Sequence, residues 1–131
     1  MASVFTKIIR NELPAYRIFE NDLVISFLTI DPIRGGHTLV VPKTEVDSFM
    51  DVSSPEYQEV FRVAQMIGKA IKTVTGCERV GLAVQGFEVR HFHLHLIPMM
   101  SPADFDFKKA TRMAPAELEE FQKKIKAKLR D

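Results

Sequence analysis

Between residues 91 and 98 the chain reads His91-Phe92-His93-Leu94-His95-Leu96-Ile97-Pro98, an alternation of imidazole and apolar side chains closed by two apolar residues and a proline. A period of two belongs to a β-strand, in which successive side chains leave opposite faces. The run therefore predicts a strand over 91–99, with Phe92, Leu94 and Leu96 turned to a core and three imidazoles turned to a common space. Neighbouring imidazoles on that face would stand roughly 7 Å apart, at a rise of about 3.3 Å per residue. Such a strand needs a sheet to join and a layer to pack against, so the rest of the chain must supply both.

The remaining segments answer that demand. Residues 16–20 and 23–29 are short and rich in branched and aromatic side chains, with Asn21-Asp22 between them as a hairpin signal. A third strand over 36–41 is opened by Gly35-Gly36 and closed by Pro42, and a fourth is predicted over 78–85. A helix over 54–75 has Ser54 as candidate N-cap, Pro55 at its first position and Gly76 as a left-handed C-terminal cap. Tyr57, Val60, Phe61, Ala64, Ile67, Ile71 and Val74 recur along it at helical spacing and form one stripe to lay on a sheet. A second helix over 115–129 carries Leu118, Phe121, Ile125 and Leu129 on one face, acids early and lysines late, in keeping with the helix dipole. The expectation is a single α+β domain over 1–131, with an antiparallel sheet of about five strands and two main helices.

Composition narrows the function classes. Cys77 is the only cysteine among 131 residues, so no internal disulfide is possible and a reducing compartment is expected. The first residues lack the apolar core of a secretory signal, which makes the cytoplasm the default. No apolar run approaches the roughly 20 residues that span a bilayer, so no membrane partner is expected. Eighteen basic and 17 acidic residues leave a net charge of +1, with no global attraction for nucleic acid. Lys123, Lys124, Lys126 and Lys128 read as a solvated helix face. Any phosphate recognition has to come from a local site.

Three imidazoles in register suggest two chemistries. A His-x-His pair on a strand can chelate zinc when a third ligand arrives from elsewhere. Alternatively, a neutral imidazole can attack phosphorus while its neighbours donate hydrogen bonds to the oxygens. The triplet alone leaves both open.

The run over 91–97 matches the signature of the histidine triad (HIT) superfamily, and the resemblance extends to two further segments. Phe5-Thr6-Lys7-Ile8-Ile9-Arg10-Asn11-Glu12-Leu13-Pro14 is similar to that family's opening, and Asp31-Pro32-Ile33-Arg34-Gly35-Gly36-His37-Thr38-Leu39-Val40-Val41-Pro42-Lys43 to its second landmark. The resemblance implies a nucleotide hydrolase or nucleotidyl transferase, acting at the α-phosphate of phosphoramidates, adenylated conjugates or dinucleoside polyphosphates. It implies a purine nucleotide or nucleotide conjugate as ligand, no cofactor, and a homodimer whose seam is the 54–75 helix with its adjoining strands. His93 takes the place of the nucleophile that forms a covalent nucleotidyl-histidine. His95 takes that of a donor to a phosphate oxygen or leaving group, His91 that of the first, more structural triad member, and His37 that of a fourth, orienting histidine. Gln85 falls where relatives often put a polar residue on the phosphate.

The chain also departs from the pattern. Many relatives hold a structural zinc with a Cys-x-x-Cys pair, a later histidine and the first triad histidine. Here Ser3 and Thr6 replace the cysteines and Glu45 the later histidine, so no structural zinc is expected. The acidic residue that holds ribose hydroxyls in relatives falls at Thr29, beside Ile30, with Asp31 two residues on as a substitute. Phe87-Glu88 occupies a turn that is usually Gly-Gln-Ser or Gly-Gln-Thr, and an inward carboxylate there would repel phosphate. These departures motivate one rival reading, a nucleotide-binding module or sensor without turnover. A metal-dependent hydrolase with two triad histidines as ligands is the other.

Overall fold

The computed structural model describes residues 1–130. Five strands, β1 (Arg17–Glu20), β2 (Val24–Leu28), β3 (Thr38–Pro42), β4 (Arg79–Ala83) and β5 (Leu94–Met99), form one sheet in the order β1-β2-β3-β5-β4. Every neighbouring pair is antiparallel. Three helices accompany them: α1 (Val4–Ile9), α2 (Ser54–Thr75) and α3 (Pro115–Ala127). The α+β architecture and the five strands agree with the sequence.

The two faces of the sheet are covered unequally, and that inequality makes the site. On one face α2 lays Val60, Ala64, Ile67 and Ile71 against Val24, Val40, Leu94 and Leu96, with Leu118 and Ile125 of α3 in the same cluster. On the other face six-residue α1 sets Phe5 and Ile8, with half-buried Ile9, against Ile25, Phe27, Leu39 and Val41. β2 and β3 are buried on both sides, which is why they are nearly continuous apolar runs. The second face is too long for α1 to close, so beyond α1 it stays concave.

Several boundaries differ from expectation, each for a local reason. The strand predicted over 91–99 begins only at Leu94, and His91 to His93 lie outside it. Periodicity persisted there because the alternation of core and non-core sides outlasts the hydrogen-bond ladder. Ser54 is the first helical residue of α2 and Ser53 is its N-cap: Ser53 Oγ accepts from the Glu56 amide at 3.4 Å and donates to Glu56 Oε1 at 3.0 Å. Tyr57 and Phe61, placed on the buried stripe by spacing, are 46% and 40% exposed. α1 was not foreseen, being too short to display a helical period. Its N-cap is Ser3, whose Oγ accepts from the Thr6 amide at 3.0 Å.

The sheet's two edges are unlike. Along β1, α3 is close enough for Gln122 Nε2 to donate to the Arg17 carbonyl at 2.9 Å. The α3 docking also explains Gly35: a Cβ there would lie 2.3 Å from the Phe121 ring. Among the described residues the β4 edge pairs with nothing beyond it, and Leu82 on that strand is 49% exposed. Among the described residues no helix is long and apolar enough to cross a membrane.

Candidate active site

The concave part of the second face is a cavity of about 1070 Å³. Phe5 and Ile8 of α1, Phe27 and Leu28 of β2, Leu39 of β3 and the turn 85–89 form much of its wall, and His37, His93 and His95 open onto it. The last three arrive from different backbone settings. His95 is on β5 opposite Leu39, His93 immediately precedes that strand, and His37 immediately precedes β3. The rings of His93 and His95 sit closer than successive same-face residues of an ideal strand, with centroids 4.9 Å apart, and His37, just before neighbouring β3, reaches His95 at 5.2 Å.

His91 is not part of this group. It is fully buried and does not line the cavity. Its Nε2 lies 2.8 Å from the Pro42 carbonyl and its Nδ1 2.7 Å from Ser3 Oγ. A carbonyl can only accept, so Nε2 carries the proton and Nδ1 accepts from the serine hydroxyl. Both nitrogens are used by the protein. The expectation that three imidazoles face one space is corrected to two from the run plus His37, because the His91 ring is enclosed between Ser3 and the Pro42 carbonyl.

Hydrogen bonds fix the remaining tautomers in a chain. The Ile33 amide donates to His37 Nδ1 at 3.1 Å, so the proton of neutral His37 is on Nε2. That nitrogen lies 2.9 Å from His95 Nδ1, which must therefore accept, leaving His95 with its proton on Nε2. His93 has the opposite tautomer. Its Nδ1 lies 2.7 Å from the His91 carbonyl and must donate, so Nε2 holds the free lone pair. Among the described residues no sealed side-chain nitrogen or oxygen lacks a partner, so this unpartnered Nε2 opens to the cavity.

All three rings are held neutral. Burial pushes His37 down to about 4, helped by nearby His93, and His95 down to about 3, helped by His93 and His37. Burial also lowers His93, opposed by its hydrogen bond to the His91 carbonyl and by the Glu88 carboxylate. The cavity thus presents one lone pair (His93 Nε2) beside one N–H (His95 Nε2), a combination suited to attacking an electrophile and supporting a departing atom.

The substrate-side expectations fare variously. Gln85 and Glu88 both lie on the cavity wall and are exposed. Thr29, Ile30 and Asp31 form another stretch of wall. Thr29 Oγ1 accepts from the Asp31 amide at 3.3 Å, and Asp31 Oδ1 is engaged by Arg112 Nε at 2.8 Å. Asp31 thus shares one carboxylate oxygen with Arg112 in an exposed pair. No Lys or Arg lines the cavity among the described residues.

The segment after Pro98, which carries no recognisable motif, supplies a wall that sequence reasoning missed. The Phe107 ring packs against His95 at 4.8 Å and His37 at 6.2 Å between centroids. The segment is laced to the rim by the Thr111 amide on the Pro32 carbonyl at 3.2 Å and the Met113 amide on the Ile30 carbonyl at 3.0 Å. The only local signals are the Ser101/Asp104 capping box and the Asp106 cap, which mark turns but say nothing about where Phe107 points.

The zinc-ligand positions of relatives do converge. Ser3, Thr6, Glu45 and His91 meet beside α1, linked by hydrogen bonds. They do not fit a zinc ion: two are hydroxyls, and both His91 nitrogens are taken up by Ser3 and Pro42.

Comparison with known proteins gives the same picture. A family model described as the HIT domain matches residues 10–101. A HIT-like protein of Borreliella burgdorferi is 35% identical over 126 residues, 91% of this chain and 90% of its own length. The adenosine 5'-monophosphoramidase of Saccharomyces cerevisiae is 32% identical over 99 residues, 74% of this chain and 62% of its own length. The crystal structure of a Hit-like protein involved in cell-cycle regulation from Bartonella henselae superposes with a TM-score of 0.85 at 33% identity, over 97% of this chain and 96% of the other. With a domain model matched over residues 10–101, a relative 35% identical over 91% of the chain and a solved structure superposing over 97% of it, the chain belongs to the histidine triad superfamily.

Proposed function

We propose that this protein is a nucleotide hydrolase or nucleotidyl transferase that works through a covalent nucleotidyl-His93 intermediate, on nucleoside phosphoramidates or adenylated conjugates before dinucleoside polyphosphates. The observation that carries the reading is the tautomer of His93, whose Nδ1 is spent on the His91 carbonyl and whose Nε2 faces the cavity with a lone pair. The substrate order follows from charge: a wall that offers Glu88 and no lysine or arginine suits one phosphate better than a polyphosphate. The phosphoramidase name of the yeast relative agrees with that order.

In the first step His93 Nε2 forms a bond to the α-phosphorus, and the bond from phosphorus to the leaving nitrogen or oxygen breaks. His95 Nε2–H supports the departing atom with a hydrogen bond while neutral His95 keeps its proton, and the proton with which that atom leaves comes from solvent. The imidazolium formed on His93 keeps its Nδ1–H on the His91 carbonyl. In the second step water or another acceptor attacks phosphorus and releases its proton to solvent, the phosphorus–nitrogen bond breaks with its electron pair returning to Nε2, and the nucleoside monophosphate or transferred nucleotide leaves with His93 neutral again. His37 supports the sequence by keeping His95 in the donating tautomer.

The Glu88 carboxylate on the wall favours one rival, a nucleotide-binding module that does not turn over. Mixing the protein with an AMP phosphoramidate and measuring intact mass at single turnover decides between them. An adenylyl adduct in wild type that is missing in His93→Ala is expected. Binding without any adduct would leave the sensor reading standing, and activity abolished by a chelator would favour a metal-dependent hydrolase.

The open β4 edge, with exposed Leu82 and Val84 next to exposed Tyr57 and Phe61 of α2, is the seam we assign to a homodimer. Sedimentation of the protein as a monomer at micromolar concentration would remove that assignment.

A further inference from the structure

The hydrogen bonds that begin at the N-terminus end on the nucleophile. Glu45 Oε1 accepts from the Ser3 amide at 2.7 Å and from Thr6 Oγ1 at 2.6 Å. Ser3 Oγ donates to His91 Nδ1 at 2.7 Å, His91 Nε2 donates to the Pro42 carbonyl at 2.8 Å, and the His91 carbonyl accepts from His93 Nδ1 at 2.7 Å. We propose that Ser3, Thr6 and Glu45 are positioning residues for the reaction: by clamping the His91 ring they aim its carbonyl at His93 Nδ1. This rests on the reading of His93 as nucleophile.

Two features make that carbonyl's placement matter. First, residues 91–93 lie outside β5, so no strand ladder holds the peptide that bears it. Its anchors are the His91 ring and the Phe92 amide, which donates to the Val46 carbonyl at 2.7 Å. Second, the bond it accepts changes character during the reaction. While His93 is neutral the bond is ordinary; once phosphorus is bound to Nε2 the ring is cationic, and the same bond becomes charge-assisted and stronger. An interaction that strengthens toward the transition state raises kcat, whereas one that is equal throughout lowers only KM. α1 adds a direct restraint, since the Phe5 ring stands edge-on to His93 at 4.8 Å.

Where relatives bind a structural zinc, this chain thus has a clamp of side chains. The Glu45 carboxyl belongs to it in its ionised form: hydrogen bonds from the Ser3 amide and Thr6 hydroxyl hold its pKa down to about 2. The clamp therefore stays intact over the whole pH range in which a neutral imidazole can attack.

The test compares Ser3→Gly, Ser3→Thr and Thr6→Val in the full chain. Glycine removes the donor to His91 while keeping most of the helix-capping preference, threonine restores the hydroxyl, and valine removes only the Thr6 hydroxyl on Glu45. Two readouts are taken: the rate of adenylylation by an AMP phosphoramidate at single turnover, and the His93 Nδ1–H proton resonance with its solvent exchange rate. Ser3→Gly is expected to slow adenylylation roughly tenfold to a hundredfold with KM little changed, and to shift and speed exchange of that resonance. Ser3→Thr should restore both, and Thr6→Val, the variant that disturbs folding least, should fall between. A variant that melts earlier yet keeps the wild-type rate and resonance would overturn the proposal, leaving the clamp a purely structural device. If wild type forms no adduct while the resonance still responds to Ser3→Gly, the positioning claim survives and the substrate reading fails.

Discussion

The histidine run behaves as two regions joined at residue 93. At its beginning, His91 is sealed in the protein with both nitrogens hydrogen-bonded; at its end, His93 and His95 line a cavity and each keeps one nitrogen without a protein partner. Burial does not separate them, since His91 is 0% and His93 only 7% exposed. Nor does contact with α1, since the Phe5 ring touches both; what separates them is where the ring nitrogens go, both of His91 to Ser3 and Pro42 but only Nδ1 of His93 to a protein partner. A buried imidazole is thus no sign of catalysis by itself; its unspent lone pair is.

The sharpest way to break this comparison is to delete each ring in turn. His93→Ala is expected to lower kcat by roughly 10⁴-fold or more, because no other unpartnered imidazole lone pair faces the cavity, with a smaller loss of stability than His91→Ala because only one of its ring nitrogens has a protein partner. His91→Ala should do the reverse in its first effect. It leaves Ser3 Oγ with its Thr6 contacts alone, takes a donor from the Pro42 carbonyl and opens a cavity in a packed region, a loss of roughly 2–5 kcal/mol in unfolding free energy. If His91→Ala were as stable as wild type, or His93→Ala as active, the division drawn at residue 93 would be gone. Denaturant melts alongside single-turnover rates measure both quantities.

Acidification sharpens the same contrast. His37 and His95, held near 4 and 3 in the folded protein, take up protons near the ordinary 6.5 once unfolded. The unfolded chain binds more protons in that window, so their contribution to stability is complete above the unfolded value. It is lost as pH falls from about 6.5 toward 4, by roughly 3 kcal/mol for His37 alone. A His37→Gln variant should lose less stability over that interval than wild type. For activity, the lowered pKa of His93 places the acid limb of kcat/KM below 6.5 rather than at it. An acid limb above 6.5, or a wild-type stability unchanged from pH 7 to 4, would contradict the neutral-imidazole cluster.

Much of this could be read from the chain, and the parts that could not share a cause. Strands and α2 carry strong periods over several residues, so their existence follows from pattern, and Gly35-Gly36 correctly marked the approach to β3. The limits of β5 did not follow, because side-chain alternation continues through His91 after ladder bonding has ceased. α1 is six residues long and Phe107 is a single ring in an irregular segment; neither has a period to detect, and both act through contacts distant in sequence. The pairing of Asp31 with Arg112 is of the same kind, spanning 81 residues. Local pattern tells which faces exist, whereas the closing of a cavity depends on long-range packing that single residues provide.

Phe107 gives the smallest expected effect and the finest test of how the open region differs from the sealed one. His91 is insulated by backbone and helix, whereas His95 relies for part of its insulation on one ring from the 107–109 turn. Removing that ring in Phe107→Ala should let water reach His95 and weaken the burial that holds it near 3, so its pKa should move back toward 6.5. The lost edge contact is worth about 0.5–1.5 kcal/mol, a two- to tenfold effect on rate if it is felt in the transition state. Titrating His95 by its imidazole proton resonances should therefore show an upward shift in Phe107→Ala, while the carbonyl-bound Nδ1–H of His93 keeps its position. An unchanged His95 titration would mean that the sheet and β5 alone keep this end of the cavity dry, and the tail would then be a bystander to the chemistry.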